Sequence, residues 1–296
     1  MSTARAGFVA LIGRPNVGKS TLLNALLGHK LSIVTPRPQT TRQRLVGLLN
    51  LPDGQIAFVD TPGLHRGPQR ALNRAMNRSA AAALADADLV LFVVEALKWT
   101  TEDQLALERL KKSGRPAIAV VNKVDRVRPR ERLLPYLAEL AARHDFREVV
   151  PVSAQKPDNL PALQRVTLAA LPAGEPLFPP EQLTDRSLAF RIAETIREKL
   201  TLELVEELPY GIAVELESID ASEPGRTQVS AVIWVDRAGQ KPIVIGAGGE
   251  RLKRVGRAAR TELNRLFDRR FHLTLWVKVR EDWADDARAL AALGIE

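Results

Sequence analysis

The 296-residue sequence contains no cysteine. Disulfides, thiolate catalysis and cysteine-ligated zinc are therefore excluded, and the composition suits a reducing interior. No stretch approaches eighteen consecutive apolar residues, so no segment is expected to span a membrane. The N-terminus has no charged leader ahead of an apolar stretch. Residues 8–12 are apolar, but Gly13-Arg14-Pro15 ends the run, so a signal peptide is not expected. Neither terminus carries a lipid motif or a long amphipathic basic helix. What is present is 45% hydrophobic and 26% charged residues. That is enough apolar material for real cores, in a length that suits two domains.

The formal net charge is +8, which invites a polyanionic partner without identifying one. Its distribution says more. Between Arg237 and Arg280 twelve Lys or Arg face three acids, Glu250, Glu262 and Asp268, while the rest of the C-terminal third is acidic. Positive charge concentrated in one segment points to a binding face.

Gly13-Arg14-Pro15-Asn16-Val17-Gly18-Lys19-Ser20 fits the phosphate-loop pattern, two glycines followed by Lys and a hydroxyl residue. Phe8 to Ile12 before it reads as a buried parallel strand, and Ser20 to Leu27 after it reads as a helix stopped by Gly28. Strand, loop and helix turn backbone N–H groups and a helix N-terminus toward phosphate oxygens. Gly13, Asn16, Val17, Gly18, Lys19, Ser20 and Thr21 are the phosphate-side candidates. Lys19 would neutralise the outer phosphates and the Ser20 hydroxyl would meet Mg²⁺.

Pro36 to Arg42 reads as a loop, Leu45 to Leu51 and Gln55 to Val59 as strands joined by Pro52-Asp53-Gly54. The second strand runs into Asp60-Thr61-Pro62-Gly63. An acid there lies at the ligand edge of an open α/β sheet, where Asp60 can support Mg²⁺ through water and the Gly63 N–H can meet a terminal phosphate. Leu89 to Val94 and Ala117 to Val121 read as central strands, with helices around residues 70–84 and 101–112. Asn122-Lys123-Val124-Asp125 follows. A carboxylate at Asp125 can accept from the ring N–H and exocyclic amine of guanine, a donor pair adenine lacks. Lys123 would pack over the base and Asn122 would tie loops together. Val149 to Val152 reads as a further strand, leading to Ser153-Ala154, whose backbone can meet the guanine O6.

These motifs stand in the order and spacing of the five guanine-nucleotide motifs of small GTPases, which this half of the chain resembles. The resemblance implies a Ras-like P-loop fold, a mostly parallel sheet with helices on both faces. It also implies hydrolysis of GTP to GDP and phosphate, Mg²⁺ at Ser20, Thr41 and Asp60, and mobile switches over roughly residues 32–44 and 60–78. Thr41 is favoured over Thr40 as the switch threonine, although sequence does not separate neighbours. Leu64 stands where Ras-like enzymes carry the Gln that orients water, so unaided hydrolysis is expected to be slow. In translation-factor-related GTPases an Asn placed like Asn16 resembles a K⁺ ligand, and K⁺ stimulation is expected. Asn16, Lys19, Thr41 and Gly63 are then the residues at the reacting phosphate. Arg37, Arg42 and Arg44 read as solvated or RNA-binding loop arginines.

Leu171 to Pro180 holds four prolines and reads as a stiff connector. Boundaries of 1–172 for a GTPase domain, 173–183 for a linker and 184–296 for a second domain follow. Thr184-Asp185 is expected to cap a helix carrying Leu188, Ile192, Ile196 and Leu200 and ending before Pro209. Strands at Ile212 to Glu217 and Gln228 to Val235, a short helix at Lys241 to Ile245, Gly246-Ala247-Gly248-Gly249, a basic helix from Glu250 to Arg269 and a strand from His272 to Val279 complete the pattern. The order resembles an α+β type II KH domain. That resemblance implies single-stranded RNA binding by Lys241, Ile245, Gly246, Ala247, Gly248, Gly249, Arg251, Lys253, Arg254 and Arg257. The loop's variable pair, Ala247-Gly248, lacks the basic residue common there.

A GTPase domain followed by one type II KH domain resembles a family of bacterial ribosome-assembly GTPases. Gln39-Thr40-Thr41-Arg42, Gln240-Lys241, Leu275-Trp276-Val277-Lys278-Val279 and Trp283-Ala284-Asp285-Asp286 add to the likeness. It implies 16S rRNA binding near the 3′ end, a role in 30S subunit assembly, and a cytoplasmic protein with peripheral inner-membrane association. A monomer without DNA partners is expected. Two other readings stay open on the residues alone. One is a GTPase whose basic segment meets protein or lipid headgroups. The other, prompted by Leu64, is an RNA chaperone that binds GTP without turnover.

Overall fold

In the computed structural model, which describes residues 4–37, 40–62, 71–204 and 211–295, the chain gathers into two compact units. The first takes in residues 1–32, 41–67 and 76–185, the second 33–40, 68–75 and 186–296.

Along the first unit run β1 (Arg5–Ile12), α1 (Lys19–Leu27), β2 (Leu45–Leu51), β3 (Gly54–Asp60), α2 (Ala71–Asp86), β4 (Leu89–Glu95), α3 (Thr101–Ser113), β5 (Ala117–Asn122), α4 (Leu133–Ala141), β6 (Glu148–Pro151) and α5 (Leu160–Ala170). The sheet order is β2-β3-β1-β4-β5-β6. All pairs are parallel except β2 with β3. The wholly apolar runs become the central strands because both their faces are covered: residues 89–94 of β4 and 117–121 of β5 are fully buried. Each such Val, Ile or Leu contributes about 1.5–3 kcal/mol by leaving water. Parallel strands point their C-terminal ends at one edge of the sheet. The loops after β1, β3, β5 and β6, which carry the motifs, therefore meet there.

The proline-rich segment lies along this sheet rather than standing free of it. The buried Gln55 side chain accepts from the Leu177 and Phe178 N–H groups (2.9 and 3.0 Å) and donates to the Phe178 carbonyl (2.9 Å). The Phe178 ring meets Phe8 edge-on at 6.1 Å. Thr184 and Asp185 bond to β2 instead of capping a helix: Thr184 donates to the Val46 carbonyl (2.7 Å) and Asp185 accepts from the Val46 N–H (3.0 Å). Ser187 is the actual cap of the next helix, accepting from the Phe190 N–H.

In the second unit α6 (Leu188–Glu203), β7 (Ile212–Asp220), β8 (Arg226–Val235), α7 (Gln240–Ile245), α8 (Glu250–Phe267), β9 (Arg270–Val279) and α9 (Ala287–Ala292) follow in order. The sheet order is β7-β8-β9, antiparallel then parallel. The parallel pair needs a crossover, which α7 and α8 supply. Ile192, Ile196 and Leu200 of α6 and Val255, Ala259 and Leu263 of α8 recur at helical spacing. They close one core with Ala231 and Ile233 of β8 and Phe271 and Val277 of β9. Trp283 is fully buried, its indole N–H donating to the Gly211 carbonyl at 3.3 Å. Within this unit the Val34 N–H donates to Glu198 Oε1 (2.8 Å), and the Arg197 guanidinium donates to the Thr40 carbonyl. No helix among the described residues is long and apolar enough to cross a membrane.

Candidate nucleotide site and nucleic acid groove

The loop after β1 is dictated by close approaches. A Cβ on Gly13 would lie 2.2 Å from the Val93 carbonyl oxygen, and one on Gly18 would lie 2.5 Å from Asn122 Nδ2. Gly18 and Asn16 are left-handed, at φ 97° and 62°, and Val17 is fully buried. No side chain caps α1 and no acid stands in its first turn, so its leading N–H groups can serve an anion. The buried Lys19 ammonium donates to the Gly13 and Arg14 carbonyls at 2.9 and 3.1 Å. Burial lowers its pKa to about 8, with Arg14 adding to the fall and Asp60 and Asp103 opposing it. Arg14 is itself buried and pinned between Glu95 (2.7 Å) and Asp103 (3.0 Å).

Asp60 ends β3, fully buried. Its Oδ2 accepts from the hydroxyls of Ser20 (3.0 Å), Ser32 (2.8 Å) and Thr41 (3.1 Å), while Ser20 and Thr41 lie 3.0 Å apart. Its Oδ1 is buried with no hydrogen-bond partner. Burial raises this carboxyl's pKa against the pull of Lys19 and the three hydroxyls. An orphaned carboxylate oxygen beside two hydroxyls is a hard-oxygen donor set, and it fits Mg²⁺. Thr40 is engaged elsewhere, with Thr35 and with the Arg37 carbonyl, both at 2.7 Å. Thr41, not Thr40, thus joins Ser20 and Asp60. Gly63 and Leu64 lie outside the described residues.

The base-side residues converge on the loops after β5 and β6. Asn122 donates to the Val17 carbonyl (2.9 Å) and accepts from the N–H groups of Lys123 (2.8 Å) and Ala154 (3.1 Å). Lys123 is left-handed and reaches back to the Asn16 carbonyl at 2.7 Å. The Ser153 hydroxyl donates to Asp125 Oδ1 at 2.7 Å. Ser153 therefore orients the carboxylate through its side chain, while the Ala154 N–H is given to Asn122.

Three contributors had no signal in the sequence. Ser32 holds Asp60. Asn24 on α1 fixes residues 31–32 through three hydrogen bonds. Asp103 completes the capping box of α3 by accepting from the N–H of the cap residue Thr100, and grips Arg14 with the same oxygen. Arg42, expected to be a solvated or RNA-binding loop arginine, is 4% exposed; a loop arginine reads that way unless its burial is known.

In the second unit Gly246, Gly248 and Gly249 all take positive φ between α7 and α8. A Cβ on Gly246 would meet Arg251 Cβ at 2.7 Å. A groove of about 490 Å³ runs beside them, its floor apolar (Leu252, Leu273, Leu275) and its rim basic (Lys253, Arg257, Arg260). Gly249, Lys253 and Arg257 were expected here; Arg260, Gly256 and His272 add to the lining. Arg254 turns to Glu203 (3.0 Å) and Arg251 donates to the Ile243 carbonyl (2.6 Å). Lys241, Ala247 and Gly248 are exposed and Ile245 is half-buried.

A guanine-reading P-loop site in one unit and a type II KH groove in the other define a GTPase with an RNA-binding module. The family model for 50S ribosome-binding GTPases matches residues 8–123, and the KH domain model matches residues 207–284. The chain is 52% identical over 291 residues to GTPase Era of Stenotrophomonas maltophilia, covering 98% of this chain and 97% of that one. It is 48% identical over 288 residues to GTPase Era of Actinobacillus pleuropneumoniae, with 97% and 95% covered. Two solved structures share the fold at TM-score 0.95 and 40% identity. One is an Aquifex aeolicus Era variant bound to GDP and aluminium fluoride, covering 98% and 99% of the two chains. The other is Era with MgGDPNP and nucleotides 1506–1542 of 16S ribosomal RNA, covering 99% of each. The chain belongs to the Era family of GTPases.

Proposed function

We propose that this chain is a GTP-hydrolysing switch that binds 16S rRNA near its 3′ end and acts in assembly of the 30S subunit. One observation carries the reading: over 99% of its length the chain is similar to an Era held simultaneously by a magnesium nucleotide and that rRNA segment. In this reading Asp125 accepts two hydrogen bonds from guanine while the Ser153 hydroxyl, donating to its Oδ1, holds the carboxylate in place. Lys123 covers the base. Lys19 and the leading N–H groups of α1 offset charge on the outer phosphates. Ser20 and Thr41 would hold Mg²⁺ with Asp60 behind them. When bound, the cation neutralises phosphate oxygens. The same reading makes the protein a cytoplasmic monomer whose inner-membrane contact is peripheral.

Lys19 supplies a pH test. Bound phosphates would raise its pKa from about 8. Its contribution to binding is then complete below about pH 8 and is lost as pH rises from there through the raised value in the complex. Calorimetry at pH 8.5 in two buffers of different ionisation enthalpy is expected to show uptake of about half a proton or more per nucleotide bound. No uptake would show that Lys19 is already charged before the nucleotide arrives.

Asn16 supplies an ion test. It is exposed, left-handed and within the phosphate loop, which suits an amide ligand for K⁺. Hydrolysis is expected to be at least about tenfold faster in K⁺ than in Na⁺, and Asn16→Ala to remove the difference. Equal rates in both salts would discard K⁺.

The coupling of nucleotide to RNA has support in the first switch, where Val34 and Thr40 bond to Glu198 and Arg197 of α6. RNA affinity of the full chain is expected to be at least about tenfold higher with a non-hydrolysable GTP analogue than with GDP. Equal affinities in a filter-binding assay would leave the two ligands uncoupled.

A further inference from the structure

Four arginines of the first unit take no part in the site above. Arg126, Arg128, Arg130 and Arg132 alternate through two short turns, Val124–Arg126 and Arg130–Arg132, between β5 and α4. All four are exposed. None of their side chains forms an ion pair among the described residues. Arg126 reaches only Gln155 Oε1 at 3.4 Å, and Arg128 only the Val127 carbonyl at 3.1 Å. Three of them, with Lys123, wall a cavity of about 230 Å³. The one acid in that wall is Glu95, whose charge is already engaged by Arg14 at 2.7 Å and Lys123 at 3.1 Å. Burial alone would raise the Glu95 pKa, but those two partners outweigh it and hold the carboxyl below its ordinary range. Leu97, also in the wall, is held at φ 59°, a conformation a leucine adopts only when its surroundings impose it.

We propose that this arginine cluster is a second RNA-contacting surface, carried by the GTPase unit, that grips phosphates of an RNA outside the KH groove. Guanidinium forks without carboxylate partners are suited to bidentate phosphate contacts. The same turns carry two acids, Asp125 and Glu131, against the four arginines, so the segment keeps a net positive charge, and releasing the counterions of a nucleic acid supplies the driving force. A bilayer is the other polyanion to consider. It is flat and rewards apolar insertion. Here Leu134 on α4, 73% exposed, is the one large hydrophobic side chain strongly exposed beside the cluster among the described residues, whereas three of the guanidiniums line a hollow of about 230 Å³. The proposal rests on the RNA-binding reading above.

The test compares the full chain with an Arg128→Gln/Arg130→Gln/Arg132→Gln variant on two RNAs. One is a single strand of about 12 nucleotides, enough for the groove; the other is the same strand joined to a hairpin stem. The variant is expected to lose about tenfold or more in affinity for the longer RNA at about 100 mM salt, with its log–log salt slope shallower by about 2 to 3. Its affinity for the short strand and its RNA-free GTP hydrolysis stay unchanged. Unchanged affinity and slope on the longer RNA overturn the proposal. So does loss of binding to phosphatidylglycerol vesicles with RNA binding intact, which assigns the patch to lipid. If the unaltered chain binds neither RNA, the RNA-binding reading fails first and the patch with it.

Discussion

An Asp125→Asn variant is expected to bind GTP about a hundred- to ten-thousandfold more weakly and to gain affinity for xanthosine triphosphate. Two hydrogen bonds to a carboxylate are at stake, each contributing about 1.5–3 kcal/mol. Ser153 donates to Oδ1 at 2.7 Å, so the carboxylate is held in one orientation. An asparagine amide would turn a donor toward the guanine amine, leaving two donors face to face. Xanthine carries a carbonyl at that position and accepts from the amide. Competition of the two nucleotides for the variant reads this directly. Undiminished GTP affinity would remove Asp125 from base recognition.

Replacing both Gly246 and Gly249 with Asp is expected to lower RNA affinity at least about a hundredfold while leaving GTP hydrolysis without RNA unchanged. Gly246 stands at φ 75°, ψ 168°, a region essentially closed to side-chain-bearing residues. Its Cβ would lie 2.7 Å from Arg251 Cβ. Gly249 opens α8 with no side-chain cap and lines the groove. Two carboxylates there would face the sugar-phosphate backbone at its closest approach. A filter-binding titration with the 3′-end RNA measures the loss, and phosphate release measures the retained turnover. If RNA affinity survives, the phosphates do not pass this loop, and lipid or protein becomes the partner of the basic segment.

What was legible in the sequence was what is local. The phosphate loop, Asp60, Asn122 to Asp125 and the Gly246–Gly249 loop each answer a backbone requirement confined to a few residues, and the glycine contacts at positions 13, 18 and 246 are that requirement in space. Apolar runs located the strands to within three residues: β6 begins at Glu148 rather than Val149, but β1 begins at Arg5 rather than Phe8 and β7 runs on to Asp220 rather than stopping at Glu217. Non-local pairing was not legible. Nothing about Ser32 announces a bond to Asp60, 28 positions away. Gln55 looked like one residue of a strand, yet both polar atoms of its side chain reach the proline-rich segment. Thr184-Asp185 resembled a cap because both residues cap well in isolation; pairing with β2 outcompeted that use, and Ser187 took it over.

The most direct measurement is GTP hydrolysis by the full chain in K⁺ buffer, with and without a single-stranded RNA copying the 3′ end of 16S rRNA, against a scrambled RNA of equal length. The expected result is stimulation by the matching RNA alone, which would join the nucleotide site and the KH groove in one mechanism. Tight binding of that RNA with no change in turnover would contradict it, leaving two ligand-binding units merely tethered in one chain.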